Sequence, residues 1–236
     1  MKEICEGVYL LEKLRGANSY LIAPDKEMVL LDAGMAGDVD SIVSQIESAG
    51  YSISALQAII ITHAHGDHMG GAAELAANSG AEVMAHRLEV PYVEGRETLP
   101  AGSILKSAVR WMDRLLSGRR GEISVAGALD DGDCLDYLGG LKVIHAPGHT
   151  PGSICLYQEQ KKILFCSDLL FNGNLFTGRG GLMYAPRLFS VDPEEVETSA
   201  HKLGSLQINA LCMGHGEPIV IENSIRMGEL LKAVND

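Results

Sequence analysis

The chain has 236 residues, 46% of them apolar, which is enough to fill a sizeable core. A formal net charge of −12 excludes a surface built to displace counterions from a phosphate backbone, so no nucleic-acid partner is expected. No apolar run approaches the roughly 20 residues a membrane-spanning helix needs, and the opening Met1-Lys2-Glu3-Ile4-Cys5-Glu6 has no apolar leader. No membrane partner is expected, and the five widely spaced cysteines are expected as free thiols in a cytoplasmic protein.

In chain order, residues 8–11, 18–23 and 28–32 are short apolar runs separated by turn residues, which predicts a meander of strands. Residues 38–49 carry Val39, Ile42, Val43 and Ile46 at helical spacing, with Gly50 beyond them. Ala58-Ile59-Ile60-Ile61 reads as a buried strand and leads straight into Thr62-His63-Ala64-His65-Gly66-Asp67-His68-Met69-Gly70-Gly71. A helix is expected to start near Asp67 and His68 and to run through Ala77, followed by a strand at 81–85. Residues 91–121 read as an excursion. Within it Ser103 caps a helix closed by Gly118, with the apolar stripe Ile104, Leu105, Ala108, Val109, Met112, Leu115 and Leu116. Packing of that stripe on the domain is the expected role, and a lid over a substrate pocket is the alternative.

Past Gly121, strands are predicted at 141–145, 153–157 and 162–166, then a glycine-rich loop from Phe171 to Ser190. Asp192 is an N-cap candidate with Pro193 at the first helical position. A short strand at 210–213 and a closing helix at 222–234 complete the chain. Strands, helix, strand, helix therefore occur twice. That order predicts an α/β protein, a four-layer αββα sandwich, in one domain spanning 1–236 with a helical insertion at about 91–121.

The segment 62–71 concentrates the chemistry. Side-chain direction repeats every second residue in an extended backbone, so His63 and His65 project to one side. Gly66 is expected to turn the chain sharply, letting Asp67 and His68 point back toward the two imidazoles. Imidazole nitrogen and carboxylate oxygen are ligands for zinc, iron or manganese. One histidine in a polar loop is ordinarily structural; three with an aspartate at this spacing point to a metal. Three later positions share the context of an apolar strand followed by a ligand-type residue. His149 lies in the turn Ala146-Pro147-Gly148-His149-Thr150-Pro151-Gly152, Asp168 follows Phe165-Cys166-Ser167, and His215 follows Cys212-Met213-Gly214. Each alone has a plain explanation, since such turns are common and aspartate often ends a strand. Together they form a pattern.

The set His63-x-His65-x-Asp67-His68, His149, Asp168 and His215 resembles the complete metal constellation of the metallo-β-lactamase superfamily, and Asp32 sits where that family has its first conserved aspartate. The resemblance spans 32 to 215, in order. It implies an αββα sandwich with a dinuclear site at one edge of the two sheets. It further implies that His63, His65 and His149 hold one metal, that Asp67, His68 and His215 hold the other, and that Asp168 bridges them. Two divalent ions are expected, zinc first, with iron or manganese fitting the same ligands. Asp32 is then no ligand but a hydrogen-bonding brace for the motif loop.

An aspartate at 168 resembles hydroxyacylglutathione hydrolases and lactonases of the superfamily and departs from zinc β-lactamases with a cysteine there. In similar lactonases a tyrosine three residues later helps bind the substrate carbonyl. Here that position is Phe171, and Tyr184 in the glycine-rich loop is the candidate phenol. Phe171 and Tyr184 are thus the expected substrate-binding residues, and the apolar segments 91–121 and 171–190 the expected pocket walls. Cys166 shares the side of Asp168 by strand periodicity, although a core position is expected for it. His86, His145 and His201 lie outside the motifs, with His86 the best outsider because it ends a strand.

The expected function is hydrolysis of an acyl bond, whether ester, lactone or thioester, in a small and partly apolar substrate. A hydroxide on the dinuclear site attacks the carbonyl, with Asp67 as the catalytic residue that orients it and carries a proton to the leaving group. The alternatives are a mononuclear-iron redox enzyme resembling persulfide dioxygenases, a β-lactamase, and a phosphodiesterase. A protein that had lost catalysis would be expected to lack ligands, and none is missing.

Overall fold

Residues 1–24, 28–100, 121–173 and 180–234 are described by a computed structural model. The chain divides into two compact units, Met1–Leu129 and Asp130–Asp236, each built on one seven-stranded mixed sheet. The expected helix at 103–118 lies outside the described residues, as do Leu175 and Phe176 of the expected pocket wall.

In the first unit, β1 (Lys2–Cys5), β2 (Val8–Leu11), β3 (Ser19–Ile22) and β4 (Met28–Leu31) form an antiparallel meander. β5 (Leu56–Ile61), β6 (Glu82–His86) and β7 (Val125–Leu129) then continue the sheet in parallel. Every residue of β4 is buried, as are Ala58 to Ile61, which is why these strands read as continuous apolar runs rather than alternating ones. Helix α1 (Val39–Ser48) crosses from β4 to β5 and buries Val39, Ile42 and Ile46, spaced three and four apart, against Leu30, Ile59 and Ile61. β7 is a strand not expected from the sequence, its five residues being small or apolar and buried or half-buried only at alternate positions. Its backbone lies against β6 because Gly127 leaves room for the Met84 side chain, which a Cβ there would meet at 2.9 Å.

The single helix expected after the motif is two: α2 (Gly66–Met69) and α3 (Ala72–Ser79). Gly66 opens α2 rather than turning the chain, and the break falls at Gly70 and Gly71. A Cβ at Gly70 would lie 2.6 Å from the Ala36 nitrogen, and one at Gly71 2.4 Å from the Ala33 carbonyl oxygen. Segment 33–36 packs into that gap, with Ala33 N–H donating to the His68 carbonyl at 2.6 Å and Gly71 N–H to the Gly34 carbonyl at 3.3 Å. Short α4 (Val90–Val93) follows β6.

In the second unit the sheet order is β14-β13-β11-β10-β9-β8, with β12 paired to β11. Its strands are β8 (Cys134–Leu135), β9 (Leu141–His145), β10 (Ile154–Gln158), β11 (Ile163–Asn172), β12 (Leu182–Tyr184), β13 (Gln207–Gly216) and β14 (Ile219–Arg226). Helix α5 (Pro193–Lys202) starts as expected, its Asp192 carboxylate accepting the N–H groups of Glu194 and Glu195. Val196 and Ala200 on its inner face join Leu164, Leu211 and Met227 in the core.

Two expectations are corrected here. β11 does not stop at Cys166 but continues through Asp168 to Asn172, absorbing an irregularity at Ser167, whose φ is 45°. Residues 222–226 belong to β14 rather than to the closing helix, which is the short α6 (Met227–Leu231). The reason is tertiary: β13 offers its free edge, and β14 pairs along it from Ile219 to Arg226. Cys155, Cys166 and Cys212 are buried, so Cys166 takes the core role. Burial pushes the Cys155 thiol up to about 12 and the Cys166 thiol well above its ordinary value. No described helix is long and apolar enough to cross a membrane.

Candidate metal centre

In the first unit, β5 delivers the motif loop and Asp32 at the end of β4 holds its start. The Thr62 N–H donates to Asp32 Oδ1 at 2.8 Å, and the Thr62 hydroxyl reaches both carboxylate oxygens, Oδ2 at 2.8 Å. His68 Nδ1 lies 2.7 Å from Asp32 Oδ2. A carboxylate accepts only, so His68 carries its proton on Nδ1 and presents the lone pair of Nε2, as an imidazole ligand must. Asp32 sits at a φ of 59°, which a short polar side chain tolerates. His63 and His65 bring Nε2 and Nδ1 to 3.1 Å, and the His63 and His68 rings stand 4.0 Å apart between centroids. Asp67 and His68 offer ligand atoms within 4.8 Å of each other.

The β2–β3 turn closes over this loop. Asp38, buried, accepts the N–H of Arg15 at 3.1 Å and of Met35 at 3.0 Å, which ties the turn to the segment after β4. Gly16 is thereby laid against Asp67, where a Cβ would meet the Asp67 Cβ at 2.6 Å. Gly16→Ala is therefore expected to push Asp67 aside, cutting turnover by roughly 10- to 100-fold as a displacement near 1 Å does. Unchanged turnover, with a melting temperature matching wild type, would show that the turn does not set the position of Asp67.

In the second unit, the turn after β9 carries His149. Gly148 has a φ of 123°, and a Cβ on it would lie 2.3 Å from the Val196 nitrogen, so only glycine lets this turn sit on the start of α5. The His149 carbonyl accepts from Val191 N–H at 3.0 Å, and its Nδ1 lies 3.3 Å from Ser190 Oγ. Its Nε2 stands 3.4 Å from Asp168 Oδ2. His215 Nε2 stands 3.3 Å from that same oxygen. One carboxylate oxygen thus serves two imidazoles.

These spacings carry information about what the atoms are for. A charge-assisted N–H···O bond normally closes to about 2.7–2.9 Å. Two donors each roughly 2.0–2.1 Å from a common tetrahedral ion stand about 3.3 Å apart. The His149 and His215 separations from Asp168 match the second figure, and the His63–His65 separation lies close to it. The nitrogen and oxygen donors present thus fit divalent metal ions.

The other expected residues fall as follows. Phe171 is 1% exposed and stacks on His215, ring centroids 4.7 Å apart at 30°. Its place in the structure is behind a ligand-type ring. Tyr184 is half-buried in β12, and its hydroxyl lies 3.4 Å from His201 Nε2. His145 Nε2 lies 2.9 Å from the Pro151 carbonyl oxygen, while His86 Nδ1 receives the Leu88 N–H at 3.4 Å. Glu89 and Ser190 are not among the residues the sequence singles out, although each touches the loop or the side chain of a ligand-type residue. No local pattern marks them, because their partners lie 25 and 41 positions away.

Comparison with known proteins agrees with this geometry. The family model described as "Metallo-beta-lactamase superfamily" matches residues 13–215. The chain is 32% identical to "Probable metallo-hydrolase YflN" of Bacillus subtilis (strain 168) over 94% of its own length and 88% of that protein's. It is 27% identical to "Hydroxyacylglutathione hydrolase GloC" of Haemophilus influenzae, over 64% of this chain and 65% of the relative. Among solved structures, a metallo-beta-lactamase family protein from Thermus thermophilus aligns with a TM-score of 0.73 at 21% identity, covering 97% of this chain and 79% of that one. The subclass B3 metallo-beta-lactamase BJP-1 of Bradyrhizobium japonicum aligns at 0.65 and 22%, covering 90% and 76%, so the fold is the metallo-beta-lactamase fold. With the family's pattern matched from 13 to 215 and ligand-type His and Asp side chains gathered within each unit, the chain belongs to the metallo-beta-lactamase superfamily and is a metallo-hydrolase of it.

Proposed function

We propose that this enzyme hydrolyses an acyl bond, an ester, lactone or thioester, in a small and partly apolar substrate, using two divalent metal ions, zinc first. In this reading the ligands are His63, His65, Asp67 and His68 of the first unit and His149, Asp168 and His215 of the second, with Asp168 shared by the two ions. The observation that carries it is Asp168 Oδ2, 3.4 Å from His149 Nε2 and 3.3 Å from His215 Nε2, which fits an oxygen shared by two ions. Ligand-type side chains gathered within each unit lend further support, His63, His65, Asp67 and His68 in the first and His149, Asp168 and His215 in the second. The relative named hydroxyacylglutathione hydrolase favours a thioester within the acyl class.

When bound, such ions supply a nucleophile of hydroxide strength at neutral pH and an electrophile for a carbonyl oxygen. The chain's own residues do the rest. Asp67 keeps one carboxylate oxygen for orienting the attacking water and for passing its proton to the leaving oxygen or sulfur, and Gly16 leaves the room that Asp67 occupies. Asp32 sets the tautomer of His68. The acidic chain repels polyanions and its free thiols suit the cytoplasm.

Elemental analysis joined to a panel of thioesters, lactones, aryl esters, phosphodiesters and β-lactams tests this. Two ions per chain and turnover confined to the first three classes are expected, with Asp67→Asn reducing kcat about a hundredfold at full metal occupancy. A single tightly bound iron with oxidation of persulfides would replace this reading.

A further inference from the structure

Asp32 is not the only buried carboxylate that holds the motif loop. Glu89 has no exposed surface, and a buried carboxylate needs hydrogen-bond donors to offset its lost hydration. It stands at the N-cap of α4, where a shorter Ser, Thr, Asp or Asn side chain normally accepts the orphan N–H groups of its own helix. Here it makes no such bond. Its Oε1 instead accepts the Ala64 N–H at 2.8 Å.

Ala64 lies between His63 and His65, so that bond acts on the backbone carrying both imidazoles. β5 and β6 run parallel, with Ile61 beside Ala85, so the turn after β6 necessarily lies beside the motif loop after β5. The turn is firm, because Arg87 N–H bonds the Leu129 carbonyl at 3.0 Å and Glu89 N–H the His86 carbonyl at 2.7 Å. The loop is then held at three successive places: Thr62 N–H on Asp32, Ala64 N–H on Glu89, and the His65 carbonyl by the N–H groups of His68 and Met69 at 3.1 and 3.0 Å.

We propose that Glu89 is a positioning residue for the metal centre, fixing through the Ala64 N–H the mutual geometry of His63 and His65. The inference rests on the reading that those two histidines share a metal ion. What matters is the reach of an acceptor to Ala64 and not the charge. Gln keeps that reach, Asp is one methylene too short, and Ala has none.

The test is zinc affinity by chelator competition, together with the visible absorption bands of the cobalt(II)-loaded protein, on wild type and on Glu89→Gln, Glu89→Asp and Glu89→Ala. Glu89→Asp and Glu89→Ala are expected to lose about 10- to 100-fold in affinity for one ion, with shifted cobalt bands. Glu89→Gln should stay within about threefold of wild type, with unshifted bands. If Glu89→Ala does not fold, the contrast between Asp and Gln decides. Equal behaviour of those two, or loss in Gln with retention in Asp, overturns the proposal. A wild-type protein that takes up no zinc or cobalt sinks the metal reading itself, whereas wild-type uptake unaffected by any Glu89 variant sinks only the role of Glu89.

Discussion

With two ions bound as proposed, Asp168→Ala is expected to lower the affinity for both at once and to abolish hydrolysis, whereas His215→Ala should weaken mainly one ion. The asymmetry follows from geometry, since a single oxygen of Asp168 faces both His149 and His215. Removing the carboxylate also takes from both imidazoles the oxygen they face, at a residue only 4% exposed. Metal content of the two purified variants, measured after dialysis against a weak chelator, gives the answer. Retention of one full equivalent in Asp168→Ala would mean that the carboxylate belongs to a single ion.

The second large effect is expected at Asp32. Asp32→Ala strips an acceptor from the Thr62 N–H, the Thr62 hydroxyl and His68 Nδ1, all in a region with almost no solvent. Taking that acceptor away from several buried donors costs about 3 kcal/mol, and alanine at a φ of 59° adds roughly 1 kcal/mol. The metal-free protein should then melt about 10 °C lower. Asp32→Asn separates stability from ligand chemistry. Asparagine tolerates the left-handed backbone and can keep its carbonyl toward Thr62, which turns its NH2 group toward His68 Nδ1. That nitrogen must now accept, so the proton moves to Nε2 and the ligand lone pair is lost. Asp32→Asn should fold and yet bind the ion of His68 about 10- to 100-fold more weakly. Equal metal affinity in Asp32→Asn and wild type, measured by chelator competition, would show that Asp32 does not set the tautomer.

What could be read from the sequence was local and chemical. His63, His65, Asp67 and His68 announce themselves by density and by the apolar strand before them, and α1 and α5 by their spacing and by Asp192 and Pro193. A covalent spacing survives in any environment, so these expectations needed no partner.

The expectations that failed all depended on a partner distant in sequence. Gly70 and Gly71 are no helix end by themselves; they become one because segment 33–36 packs into the space their missing Cβ atoms leave. Residues 222–226 had helical neighbours but met the open edge of β13, and a run of backbone hydrogen bonds outweighs the few tenths of a kcal/mol by which helix propensities differ. The contact of Phe171 with His215 was likewise beyond local sequence, because it exists only once β11 and β13 run in parallel register and set residues 171 and 215 side by side. Residue types and their spacing, through the family they resemble, thus pointed to a metallo-hydrolase with His and Asp side chains that fit a metal site. Tertiary structure alone decided which side chains brace those ligands, because a hydrogen bond from Ala64 to Glu89 or from His68 to Asp32 exists only once the strands carrying them lie side by side.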